Sequence, residues 1–66
     1  MTIDPELAAQ QRQQLRRAWH NARQATDKTR PSKLRAARKL AATMSPENIT
    51  LSIGVAGARE LDEVRL

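Results

Sequence analysis

Three prolines set the limits of any helix this chain can form, because proline lacks an amide donor and is tolerated in a helix only in its first turn. They stand at positions 5, 31 and 46, and two of them belong to one repeated signal, Asp4-Pro5-Glu6 and Ser45-Pro46-Glu47. In each, a short polar side chain can cap the free amides, proline fits the first helical position, and the acid favours the positive helix end. From Glu6 to Lys28 neither glycine nor proline intervenes, and Ala, Gln, Arg and Leu dominate. A first helix is therefore predicted over about 5–28. Pro31 pushes Arg30 out of helical geometry. A second helix is predicted over about 31–44, and the short link makes the pair an antiparallel hairpin. A shorter helical unit is expected over about 46–66. The expected fold is all-α, a single small domain over 1–66.

The helical faces follow from the spacing. At about 100° per residue, Leu7, Ala8, Leu15, Ala18, Trp19, Ala22 and Ala25 share an arc of about 120° on the first helix. Leu34, Ala37, Leu40, Ala41 and Met44 share one side of the second. Trp19, the only aromatic residue, is expected in the core as the bulkiest group on an Ala-rich face. The third segment admits two readings. Ile49, Leu51, Ile53 and Val55 alternate with Thr50, Ser52 and Gly54, which is strand periodicity in β-prone residues. A strand at 49–55 would have to pair across a dimer. The helical reading, which is preferred, puts Ile49 and Ile53 on one face and stops at Gly54. The same residues also suit the turn of a helix-turn-helix. However, Leu61 and Val64 fall one residue late for it, and Glu60, Asp62 and Glu63 would enter a phosphate-lined groove poorly.

Composition narrows the chemistry. Of 66 residues eleven are Ala and only twelve are Leu, Ile or Val, which is close to the level at which charged chains remain disordered. A core this small is marginal, and a partner or second copy is expected to complete it. Seven of the twelve large aliphatics lie in the last third, so Ile49, Leu51, Ile53, Val55, Leu61 and Val64 are the expected interface of a homo-oligomer. There is no cysteine, hence no disulfide, thiolate nucleophile or Cys-based zinc site. His20 stands alone, and no nucleophile triad, glycine-rich phosphate loop or paired catalytic carboxylates can be assembled. No enzyme activity, cofactor, metal or small-molecule substrate is expected. No apolar run is long enough for a membrane span, and Asp4 with no apolar stretch after it predicts no secretory leader, leaving the cytoplasm as the expected compartment.

Charge carries the functional reading. The net charge of +5 divides into +7 for residues 1–44 and −2 for residues 45–66, and Arg outnumbers Lys nine to three. On the first helix Arg12, Arg16 and Arg23 project within about 40° of one another. On the second, Arg35, Arg38 and Lys39 lie within about 100°, away from Leu40 and Met44. Arg16 and Arg38 lie outside both apolar arcs. The planar guanidinium suits bidentate contact with phosphate, and a cationic band of this kind neutralises phosphates and releases counterions. The expected function is that of a small nucleic-acid-binding accessory or regulatory protein. It would contact the backbone of duplex DNA through these six side chains. The alternative is an inhibitor or adaptor that docks the same face on an acidic protein.

Overall fold

The computed structural model describes residues 4–63 and is built of helices α1 (Pro5–Gln24), α2 (Arg30–Ala41) and α3 (Pro46–Asp62). The all-α expectation holds. Both capping signals act as read: the Asp4 carboxylate accepts from the Glu6 amide at 2.9 Å, and the Ser45 hydroxyl accepts from the Asn48 amide at 3.2 Å. Ser45 and Asp4 both hold the extended backbone of an N-cap.

The helix bounds differ from expectation: α2 takes in Arg30 as its first residue although Arg30 precedes Pro31, and α1 and α2 both end early. α1 stops at Gln24, four residues early, where Ala25 turns extended. Thr26, Asp27 and Thr29 supply short polar side chains that compete with a helical ladder. The Thr26 carbonyl accepts from the amides of both Thr29 and Arg30, and its hydroxyl shares a hydrogen bond with Thr29. Arg30 locks the turn, donating to the Ala25 carbonyl and to Asp27, both at 3.1 Å. α2 likewise ends at Ala41, where the Thr43 hydroxyl bonds the Leu40 carbonyl and the Met44 amide bonds Ala41.

Ala22 and Arg23 at the end of α1 share a depression with Arg30 and Leu34 at the start of α2, so the two helices run antiparallel. α3 returns parallel to α1, with Asn48 opposite Ala8 and Arg12, and Ser52 opposite Arg12 and Arg16. The result is an up-down-up bundle about 40 × 18 × 18 Å in extent. Leu15, Trp19, Ala37, Ala41, Met44 and Leu61 form its core, with Ala18, Leu34, Leu40, Ile49 and Ile53 packed against them. Trp19 takes its expected core place at 7% exposure.

Residues 49–55 form no strand; they are helical up to Gly54. Gly54, at φ 83° and ψ 171°, breaks the helix without a loop, and Val55 resumes it at once. The helix-turn-helix reading therefore loses its turn. The break has a geometric purpose. In an unbroken helix Leu61 would point about 180° from Ser52 and about 140° from Asn48. The break resets the register, so that all three are buried. Only glycine takes that positive φ without strain.

Candidate nucleic-acid interface

The six cations expected to form a band are divided by the fold into a braced pair and a loose set. Arg12 and Arg16 lie where α1 meets α3. Arg12 Nη1 donates to Asn48 Oδ1 at 2.8 Å, and Arg16 Nε donates to the Ser52 carbonyl at 3.3 Å. In return, Asn48 Nδ2 donates to the Ala8 carbonyl at 3.2 Å and Ser52 Oγ to the Arg12 carbonyl at 2.7 Å. Helical carbonyls keep a second lone pair, so α1 accepts these bonds without losing its own ladder. The Ser52 carbonyl lies in the last turn before the break at Gly54, and the guanidinium of Arg16 donates to it there. Among the described residues no buried side-chain polar atom lacks a partner.

Sequence reasoning singled out neither Asn48 nor Ser52, although their i, i+4 spacing beside Ile49 and Ile53 marks a polar stripe next to an apolar one. It also placed Arg16 clear of packing. The structure corrects this, since Arg16 holds α3.

Arg23, Arg35 and Lys39 are exposed. Arg23 borders the depression that also holds Arg30 and Glu60. Arg38 is half-buried on the rim of a groove between α2 and α3, with Met44, Ile49, Leu61 and Asp62 around it. No hydrogen bond among the described residues ties Arg12 and Arg16 to Arg35, Arg38 or Lys39. Arg17, absent from the expected set, is exposed beside Gln10, Gln13, Gln14 and Asn21 on the outer face of α1. Among the described residues the one ion pair is Arg30 with Asp27 at 3.1 Å, the arginine half-buried and the aspartate exposed. The ten cations of α1, α2 and their link thus face three acids, with a single pair formed.

The expected interface residues also part company. Leu61 is buried in the chain's own core at 1% exposure, and Ile49 and Ile53 are half-buried against it. Leu51 and Val55 remain 65% and 60% exposed. Val64 lies outside the described residues.

His20 is exposed, and no group of three or more His, Asp or Glu side chains among the described residues could hold a metal ion. None of their helices is long and apolar enough to cross a membrane. No family model matches the chain, and neither curated proteins nor solved structures show significant similarity to it.

Proposed function

We propose that this protein binds the phosphate backbone of duplex DNA as a small accessory or regulatory protein without catalytic activity. One observation carries the reading: residues 4–44 gather ten cations over two helices and a turn, and among the described residues only Arg30 forms an ion pair. A surface left this positive attracts polyanions. Arg12 and Arg16 each spend one donor on α3. A guanidinium has five, so both can still donate to a phosphate, from a position held by the fold. Arg23, Arg35 and Lys39 supply mobile contacts. The acidic second half of α3 suits neither groove. Copies joined through the carboxy-terminal third would offer one duplex two basic hairpins and raise avidity.

The test is binding of random-sequence duplex across a salt series. The wild type is compared with an Arg35→Gln, Lys39→Gln variant, which removes two exposed cations that hold nothing in the fold. Binding at about 50 mM salt should weaken with added salt, and the variant's log K against log salt slope should be shallower by about 1.8, or about 0.9 per lost contact. Its thermal stability should match wild type within about 0.5 kcal/mol. Absence of measurable affinity at about 50 mM salt overturns the reading, because non-specific phosphate binding is strongest there. Capture of an acidic protein in its place would support the inhibitor or adaptor role.

A further inference from the structure

We infer that the outer face of α1 reads base edges in the DNA major groove, which gives the backbone binding proposed above a sequence preference. The inference rests on that reading. Its basis is a set of exposed side chains, Gln10, Gln13, Gln14, Arg17 and Asn21, that line one shallow depression on the unbroken helix α1. At about 100° per residue they project within about 100° of one another. The buried Leu15, Trp19 and Ala22 point about 140–160° away from Arg17, so the depression faces away from the core. Arg16 and Arg23 leave α1 about 100° and about 120° to one side of Arg17.

The residue types fit this task. Gln and Asn carry a donor and an acceptor on one planar group and pair bidentately with adenine N6 and N7, and arginine pairs likewise with guanine O6 and N7. No hydrogen bond among the described residues engages any of these side chains, so each keeps its full set of donors and acceptors. Solvent faces of helices gain from acid–base pairs at i, i+4. Here no acid occurs from Leu7 to Thr26, which excludes such pairs and leaves nothing there to repel phosphate. Glu6 stands a full turn before Gln10 and marks the limit of the stripe. From Gln10 to Asn21 the helix rises about 16 Å, the length of about five base pairs. A helix fits the major groove, which is about 12 Å wide, and Arg16 and Arg23 then face one sugar-phosphate wall. Neither other helix offers an equal face. That of α2 holds Arg35, Ala36 and Lys39, charge without an amide, and that of α3 carries Glu47, Glu60 and Asp62.

The experiment selects duplexes that bind the full chain from a pool with a randomised centre of about ten base pairs, then measures affinity for the selected duplex and for random sequence. Selected duplexes should share a core of about five base pairs or fewer. Arg17→Lys keeps the charge but loses the bidentate fork. It should bind the selected duplex about tenfold more weakly, with random-duplex affinity and the salt slope unchanged. A Gln14→Ala, Asn21→Ala variant should relax selection at A·T positions of the core, with an unchanged helical circular dichroism spectrum. A wild type that binds duplex but enriches no common core overturns base readout and leaves the backbone reading standing. An Arg17→Lys variant that weakens on both duplexes equally, or on neither, overturns base readout as well, since an equal loss marks a phosphate contact. A wild type without affinity for any duplex at about 50 mM salt overturns both readings together.

Discussion

Against α2, α1 turns Leu15, Trp19 and Ala22 toward Ala37, Ala41 and Leu34; against α3 it offers its backbone carbonyls at Ala8 and Arg12 to the side chains of Asn48 and Ser52. The first seam is apolar and rich in alanine, so it lets backbones approach closely but is non-directional and specifies register weakly. The second is a ladder of directional bonds at i, i+4 spacing, met on both sides by the Arg12 and Arg16 side chains. Sliding α3 by one residue would leave Asn48 and Ser52 without partners, a penalty of about 1–3 kcal/mol for each buried group. In a chain whose total stability is about 3–10 kcal/mol at this length, such a penalty is decisive. The apolar seam supplies most of the driving force, and the polar one selects a single arrangement.

This division can be broken from the apolar side first. Leu15 is fully buried, and Leu15→Ala should cost about 2–5 kcal/mol. That is comparable with the whole stability, so a thermal melt followed by circular dichroism should show a largely unfolded chain at 25 °C. A well-folded variant would mean that the hairpin seam contributes less than its burial implies.

The polar seam predicts smaller, separable losses. Asn48→Ala removes the bonds to Arg12 and Ala8 and should cost about 2 kcal/mol, while Ser52→Ala removes one bond and should cost about 1 kcal/mol. In chemical denaturation the Arg12→Ala, Asn48→Ala double variant should lose less than the sum of its singles, because the two side chains share a bond. Strict additivity would show that the contact contributes nothing of its own.

Gly54→Ala separates the halves of α3. Nothing stands within 4 Å of the added Cβ, so the cost arises from φ +83° alone and should be about 1–3 kcal/mol. The expected consequence is specific. If the helix straightens to escape the strain, Leu61 and Ser52 cannot both face the hairpin, and amide exchange should speed up over residues 55–62 while α1 and α2 stay protected. Uniform acceleration would show that the two halves are not separable.

The starts of α1 and α3 were legible because caps and prolines act within one turn of chain. The ends of α1 and α2 were legible only to within four and three residues. There Thr26, Asp27 and Thr43 draw the backbone into turns whose outcome depends on Arg30 reaching back and Met44 reaching the core. The candidate site was legible as charge but not as geometry. Helical angles put Arg12, Arg16 and Arg23 on one side of α1, yet they carry no information about α3, which takes up the first two. Nor does the pattern along α3 say which of its aliphatic residues the chain itself buries: Leu61 lies in the core, while Leu51 and Val55 stay exposed.

The sequence by itself determined where α1 and α3 begin, which faces of the first two helices are apolar, that Trp19 is core, and that positive charge is concentrated in residues 1–44. Each of these depends on neighbours three or four positions away, a distance over which capping, proline geometry and helical periodicity act. The tertiary structure excluded the strand alternative to the preferred helix before Gly54, and it alone decided that Asn48 and Ser52 point inward and that Leu61 joins the core. The alternating pattern of Ile49 to Val55 satisfies a strand as readily as a helix until something lies opposite it. The carbonyls of Ala8 and Arg12, forty residues away, supply that opposing surface, and Gly54 supplies the change of register that lets Leu61, after the break, join the core.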